Sequence, residues 1–304
     1  MRLPAARVLG WAAAAVVLVS VFPPAAARAQ TTASVIHVTE TSSWPRPSPD
    51  PMGLAYLPSR HRLIVADSEV DEVALFDGAN VFMLTAGGSP KRGLDVTSYT
   101  REPADVAVGP GGRSLLFADD LIDRIFRVRP GRDGRWGTDD DRVAWFPTKP
   151  FGSSDPEGLG YGAGSLFITD GIDKEVYRLD AGANHRFDGV APSGDDVVTS
   201  FDTSSLGLRD PEDVAFDRES GHLFLISRTD LMIVEVTTEG ELVDSVDISS
   251  SGIDSPAGVV LAPGSDDPGV THVYVADRGV DNNDAPAEND GRIFEFELIA
   301  GSPA

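Results

Sequence analysis

The chain has 304 residues, no cysteine, and 48 acidic against 25 basic residues, which gives a formal charge of −23. The absence of cysteine excludes both disulfide bonds and a lipid anchor attached to cysteine. The strongly negative charge argues against partners such as nucleic acid or an anionic membrane surface. It favours cations, Ca²⁺ above all, or it simply keeps the protein soluble.

The first residues have the organisation of a secretory signal peptide. Two arginines precede an apolar run over residues 8–22, and small residues follow up to residue 29. The alternative, an uncleaved membrane anchor, is disfavoured because the run is short for a membrane span and no second apolar segment of that length follows. We predict a signal peptide over residues 1–29 and a single secreted domain over residues 30–304, extracellular or periplasmic, monomeric, and without a membrane span.

The remainder of the chain repeats itself five times. The repeats begin with DPMGLAYL from residue 50, EPADVAVG from 102, DPEGLGYG from 155, DPEDVAFD from 210 and SPAGVVLA from 255. After a turn, each continues with a second apolar run: RLIVAD, SLLFAD, SLFITD, HLFLIS and HVYVAD. A third run follows: EVALFD, RIFRVR, EVYRLD, MIVEVT and RIFEFE. The first four repeats add a fourth: VFMLTA, RVAWFP, DVVTSF and ELVDSV.

These repeats predict an all-β fold, a five-bladed β-propeller with four antiparallel strands per blade. A period of about 50 residues with four short strands in each unit is typical of such blades. We expect the blades to start near residues 51, 103, 156, 211 and 256. The fifth repeat lacks a fourth run, so we predict that the strand-like segment at residues 34–41 completes the last blade, closes the ring and removes an open edge.

The repeats resemble those of NHL-repeat propellers and, more distantly, of gluconolactonase-type and phytase-like propellers. The resemblance is carried by EPADVAVGPGGRSLLFADDLIDRIFRV and DPEGLGYGAGSLFITDGIDKEVYRL. It implies the fold over nearly all of the predicted mature chain but no particular function, because propellers serve as hydrolases, lactonases, ligand sensors and docking surfaces. The Glu-Gly-Pro entry and Ser-Asn-Gly setting expected of gluconolactonases are absent from the sequence.

Strand order places many carboxylates at one end of the central channel. The loop entering the innermost strand and the turn between the second and third strands of a blade share one face. Glu157 and Glu212 follow entry prolines there and are candidate catalytic or metal-binding residues, with Arg228 as a third candidate. Crowded carboxylates need a counter-charge, either a divalent cation or arginines in a salt-bridge network. The alternative for the turn aspartates is backbone capping alone.

Two glycine-rich insertions between third and fourth runs are candidate Ca²⁺ loops on the opposite face. They contribute Asp133, Asp139, Asp140 and Asp141 in the second repeat, and Asn184, Asp188, Asp195 and Asp196 in the third. Closely spaced Asp and Asn with glycines at sharp turns suit Ca²⁺, which takes six to eight oxygen ligands. A solvated acidic turn is the alternative.

The sequence therefore predicts a secreted, Ca²⁺-supported module that binds a protein or small-molecule ligand, with a non-enzymatic role favoured. The alternative is a metal-dependent hydrolase of a phosphoester or a lactone. In that case Glu157 and Glu212 would hold the metal at the channel mouth, and Arg228 would orient the anion. The five histidines lack metal-type spacing, and the sequence contains neither GxSxG nor a phosphate-binding glycine loop.

Overall fold

The computed structural model describes residues 31–301, and the predicted signal peptide lies outside the described residues. The described chain forms five antiparallel sheets of four strands each. The first strand of each repeat lies innermost, and these five strands contact one another in a closed ring. The predicted five-bladed β-propeller is confirmed.

The strands in chain order are β1 (Thr32–Glu40), β2 (Pro51–Leu57), β3 (Arg62–Asp67), β4 (Val81–Leu84), β5 (Pro90–Leu94), β6 (Asp105–Val108), β7 (Leu115–Asp119), β8 (Arg124–Arg129), β9 (Arg142–Pro147), β10 (Pro156–Gly162), β11 (Ser165–Asp170), β12 (Glu175–Asp180), β13 (Val197–Asp202), β14 (Pro211–Phe216), β15 (Leu223–Ser227), β16 (Met232–Val236), β17 (Leu242–Asp247), β18 (Pro256–Pro263), β19 (Thr271–Asp277) and β20 (Arg292–Ile299). Single-turn 3-10 helices lie at Thr41–Ser43, Pro58–Arg60, Val70–Glu72, Pro110–Gly112, Lys149–Phe151, Ser204–Leu206 and Ser249–Ser251. Among the described residues, no helix is long and apolar enough to cross a membrane.

Blades 1 to 4 are built from β2–β5, β6–β9, β10–β13 and β14–β17, each in chain order from the channel outward. Blade 5 contains β18, β19 and β20, and β1 is its outermost strand. β1 pairs with β20 in antiparallel register from Thr32↔Ile299 to Glu40↔Arg292. The predicted closing strand is therefore confirmed, and the two ends of the domain share one sheet.

The predicted strand assignment is wrong in the outer half of the first repeat. EVALFD, at residues 72–77, was predicted as the third strand, but it forms turns with mostly part-exposed or exposed side chains. The next run supplies the third strand, β4, and residues 90–94 supply the fourth, β5. All four residues of β4 are buried. Burial of apolar area favours this run over the more polar one before it.

The core lies between the blades. Each of five large apolar clusters joins residues of two adjacent blades, such as Phe117 of blade 2 with Ile64 of blade 1, or Phe146 of blade 2 with Ile168 of blade 3. Both faces of the inner strands are covered in this arrangement. This explains why the first two runs of each repeat are almost continuously apolar.

Candidate functional site

The face on which the innermost strands begin, called the entry face here, is shaped by aspartates at the ends of the second strands. Asp67 Oδ1 accepts hydrogen bonds from the following turn, and its Oδ2 accepts one from the Asp50 N–H at 3.1 Å. Asp170 and Asp277 likewise bind the entry loops of their own blades. These turn aspartates act as backbone caps, one of the two roles considered for them from the sequence.

A β-bulge directs the second residue of several innermost strands toward the channel mouth. The ladder between β10 and β11 skips Glu157, and the ladder between β14 and β15 skips Glu212. A bulge takes a residue out of regular pairing and redirects its side chain. The equivalent residues in the other three blades are Met52, Ala104 and Ala257, which pack together. The mouth is therefore apolar on one side and acidic on the other.

Glu157 and Glu212 form a carboxyl pair across the boundary between blades 3 and 4. Their carboxyl groups lie next to each other, and Glu212 is only 2% exposed. Burial raises the pKa of Glu212 to about 7. Burial and the neighbouring Glu212 raise the pKa of Glu157 well above its usual range. The structure brings these two candidates together, and both carboxyl groups hold their protons to higher pH than exposed glutamates do.

A second carboxyl pair lies inside the channel. Asp105 of blade 2 and Asp213 of blade 4 both accept the Leu159 N–H, at 2.6 and 3.2 Å, so the two carboxyl groups meet across non-adjacent blades. Asp213 accepts the N–H groups of Val214 at 2.6 Å and Val259 at 2.7 Å, and Asp105 accepts that of Leu159 at 2.6 Å. Burial raises the pKa of Asp213 to about 7. Burial and the nearby Asp213 raise that of Asp105 well above its usual range.

Sequence reasoning placed Asp105 and Asp213 in the acidic ring but did not single them out. They stand two residues after the entry proline, where the other blades have Gly53, Gly158 and Gly258. A Cβ atom on Gly53 would collide with Asp105, and one on Gly158 would collide with Asp213. The glycines therefore make room for the aspartates. When the five repeats are aligned, this position is glycine in three of them and aspartate in two. That difference was the sequence signal that could have identified the pair.

Two arginines supply counter-charge around the mouth. The Arg228 guanidinium lies 3.0 Å from Asp210 Oδ2 and 3.2 Å from Glu212 Oε1. Arg278 donates to both oxygens of Asp50, at 2.8 and 3.2 Å, and lies 2.9 Å from Asp281. Asp50 is fully buried and Arg278 is 7% exposed. These contacts form the salt-bridge network that was one of the two predicted arrangements.

We expect replacement of Arg278 by methionine to lower the free energy of unfolding by about 3–5 kcal/mol, because Asp50 would keep a buried charge without its partner. Urea unfolding at pH 7 measures the change. The matched control is Arg46→Met, which breaks the exposed Arg46–Asp77 pair and should cost no more than about 1 kcal/mol. Equal changes in the free energy of unfolding would show that the buried pair stabilises the domain no more than the exposed pair does.

The two insertion loops lie on the opposite face, called the exit face, and have the same construction. Asp141 accepts the N–H of Gly137 at 2.7 Å, and Asp196 accepts that of Gly189 at 2.8 Å. Trp136 in one loop and Phe187 in the other are buried against the protein. The remaining predicted ligands also make local bonds, as Asp133 and Asn184 each accept the N–H two residues ahead. The loops thus form two copies of one motif.

The copy in blade 3 has the better arrangement for a cation. Oxygens of Asp188, Asp195 and Asp196 lie within 4.8 Å of one another. Asp196 is 7% exposed, and its Oδ1 is buried with no hydrogen-bond partner among the described residues. The copy in blade 2 has the equivalent buried oxygen, Asp141 Oδ1, also without a partner in the described chain.

The other residues of the blade 2 loop are less suited to such a site. Asp139 is exposed, and both Asp140 oxygens accept hydrogen bonds within the loop. The two copies therefore differ in the number of carboxylate oxygens that are free for an ion.

A third group of potential metal ligands is already satisfied within the protein. Glu295, 1% exposed, accepts hydrogen bonds from the Ser265 N–H and hydroxyl and from the Tyr274 hydroxyl. His272 Nδ1 lies 2.7 Å from the same carboxylate. Because its oxygens already have several partners, this cluster braces blade 5 and leaves little coordination capacity for a metal.

No known protein family and no curated protein sequence matches this chain. Among solved structures, glutaminyl cyclase from Myxococcus xanthus is 12% identical, with a TM-score of 0.55 over 90% of this chain and 100% of that chain. Nidogen in its complex with laminin is 18% identical, with a TM-score of 0.46 over 76% and 73%. A gluconolactonase from Xanthomonas campestris is 12% identical, with a TM-score of 0.44 over 82% and 86%.

The class of protein is therefore a five-bladed β-propeller, as the NHL-like repeats predicted. Similarity at these low identities shows the shared fold alone. A propeller fold by itself does not distinguish an enzyme from a binding protein.

Proposed function

We propose that this protein is a secreted, Ca²⁺-supported binding module whose ligand site is the acidic mouth on the entry face. The observation that carries the proposal is the Glu157–Glu212 pair. Glu157 Oε2 is buried with no hydrogen-bond partner among the described residues, and Glu212 Oε1, also buried, has only the Arg228 guanidinium at 3.2 Å. Two adjacent buried carboxyl groups with one arginine between them need a further proton or cation, and a divalent cation can contact both at once.

The charges around the mouth support a cation there. Arg228 is shared between Glu212 and Asp210, and Arg278 pairs with Asp50 and Asp281, so the two arginines face more carboxylates than they can neutralise. Burial and neighbouring carboxylates also raise the pKa of Glu102 to about 7 and that of Glu69 to about 8. Such raised values mark a surplus of negative charge at the mouth. A bound Ca²⁺, or a cationic group of a partner, would relieve it.

Ca²⁺ in the insertion loops would serve stability. The loops reach across to the preceding blade, since Arg92 donates to the Trp136 carbonyl and Arg127 to the Phe187 carbonyl. An ion held by Asp188, Asp195 and Asp196 would fix the loop that makes one of these contacts. In a secreted chain without cysteine, such braces take the place of disulfide bonds.

We expect millimolar Ca²⁺ to raise the melting temperature and a chelator to lower it. A single site at a hundredfold excess over its dissociation constant contributes about 2.7 kcal/mol. Asp196→Asn should reduce this response by the contribution of the blade 3 loop, because it removes a buried ligand oxygen, while an ion at the mouth keeps its own contribution. Asp284→Asn, an equal change of charge at an exposed position, should keep it. An identical response to Ca²⁺ in both variants would rule out the loop site.

The metal-dependent hydrolase remains a second candidate because of one observation. The carboxyl of Glu212 has a pKa of about 7 and lies beside Arg228, which suits proton transfer near an anionic substrate at neutral pH. Panels of phosphoesters and lactones, tested with Ca²⁺, Mg²⁺ and Zn²⁺, separate the two functions. Turnover that is abolished in a folded Glu212→Gln variant supports the hydrolase. No turnover supports the binding module.

A further inference from the structure

The channel has a second opening, on the exit face, that neither the acidic mouth nor the Ca²⁺ loops involve. The innermost strands end there around an inner chamber of about 240 Å³, which continues into a wider vestibule of about 650 Å³. Tyr161, Phe216 and Arg218 line both spaces. The Asp105–Asp213 pair lies further along the channel toward the entry face. Neither carboxyl pair lines the chamber or the vestibule, so this pocket is separate from the mouth.

The wall of this pocket is apolar and aromatic. Tyr56, Tyr161, Phe216 and Leu261 hold the same position in four of the innermost strands, and each is partly exposed. Their counterparts deeper in the strands, such as Leu159 and Val214, are buried. Partly exposed aromatic and aliphatic side chains around a concave space are typical of a small-molecule site. The inner chamber is smaller than the roughly 300–1,000 Å³ of drug-sized sites.

Among the described residues that line the pocket, one basic side chain, Arg218, is available to contact a ligand. Arg218 is exposed and has no hydrogen bond or ion pair with the described part of the chain. The preceding carboxylate, Asp217, is engaged by the N–H groups of Glu219 and Ser220 and by the Ser220 hydroxyl. Glu219 is exposed and also lines the chamber, but it makes no ion pair with Arg218. An arginine binds a carboxylate through two parallel hydrogen bonds.

We propose that the exit-face pocket binds a small aromatic or branched aliphatic monocarboxylate. The apolar body of the ligand occupies the inner chamber between Tyr56, Tyr161, Phe216 and Leu261, and its carboxylate pairs with Arg218. This site is independent of the acidic mouth, whose charge would repel the same anion.

Calorimetric titration with 3-phenylpropionate and its neutral amide, 3-phenylpropionamide, tests the proposal at pH 7. We expect the carboxylate to bind the unmodified protein about fivefold more tightly than the amide, the size of effect that one partly exposed ion pair gives. Arg218→Gln should remove this difference and leave amide binding unchanged. Arg113→Gln, which alters an exposed arginine outside the pocket lining, should preserve it.

Leu261→Trp provides a second variant, because the larger side chain fills the inner chamber and should abolish binding of both compounds. Melting temperatures of all variants verify that they are folded. Equal affinity for carboxylate and amide, binding that survives Leu261→Trp, or no binding of either compound would each overturn the proposal. The outcome does not depend on Ca²⁺ or on Glu157 and Glu212, so it is separable from the proposed function of the mouth.

Discussion

A chain that starts at residue 42 is expected to be severely destabilised relative to one that starts at residue 31. Removing β1 deletes the whole ladder from Thr32↔Ile299 to Glu40↔Arg292 and leaves β20 as an open edge. With a net contribution of about 1 kcal/mol for each hydrogen bond, the loss is on the order of 5 kcal/mol, comparable with the total stability of many domains. Urea unfolding or the melting temperature measures the effect.

The stability lost on deletion of β1 is mainly that of ring closure and of backbone hydrogen bonds between β1 and β20. Most β1 side chains are exposed or half-buried, and only Ala33 and Val38 pack against the core of blades 4 and 5. Val38→Lys in the full domain should therefore cost much less than the deletion. A synthetic peptide of residues 31–41 should restore the melting temperature of the truncated chain. An unchanged melting temperature after truncation would contradict closure by β1.

The domain is expected to lose stability as pH rises from 5 to 8 in the presence of a chelator. Burial raises the pKa values of Asp67 and Asp213 to about 7, whereas unfolded carboxyls titrate near pH 4. Between these values the folded state binds more protons than the unfolded state, so stability falls as pH rises. Each proton held only by the folded state lowers the free energy of unfolding by about 1.4 kcal/mol for each pH unit of increase. We expect the free energy of unfolding to fall by about 3 kcal/mol or more between pH 5 and pH 8.

Two matched variants assign part of this pH dependence to the carboxyl pair in the channel. Asp105→Asn keeps an acceptor for the Leu159 N–H and donates permanently to Asp213, so it should flatten the profile and stabilise the domain at pH 8 by about 1–2 kcal/mol. Asp213→Asn should destabilise the domain at every pH, because an amide nitrogen would face a backbone N–H such as that of Val259. Urea unfolding at each pH unit measures both. Stability that rises between pH 5 and 8 would contradict the account.

Much of the fold is predictable because the blades repeat. The proline and glycine punctuation located all five innermost strands, and the missing fourth run of the last repeat predicted the pairing of β1 with β20. EVALFD was misassigned because its four consecutive apolar residues follow the second run as the third runs of the other repeats do. VFML forms the third strand instead, because it is buried against the neighbouring blades. That burial depends on the assembled ring and is not visible in the repeat alone.

The candidate site was predictable in part. Position after the entry proline identified Glu157 and Glu212, and strand order placed them on one face. The Asp105–Asp213 contact spans 108 residues and two non-adjacent blades, so no local pattern reports it. The sequence showed that the two insertion loops are related, but it did not show that Asp141 and Asp196 are equivalent caps, because they close loops of different length.

Calorimetric titration of Ca²⁺ into a variant with disabled loops, Asp141→Asn with Asp196→Asn, tests the acidic mouth most directly. We predict that one ion per chain still binds at pH 7.5. Adding Glu157→Gln and Glu212→Gln should eliminate this binding while the melting temperature in chelator shows a folded protein. Residual Ca²⁺ binding that survives the two glutamate replacements, or no residual binding at all, would contradict a cation site at the mouth of the channel.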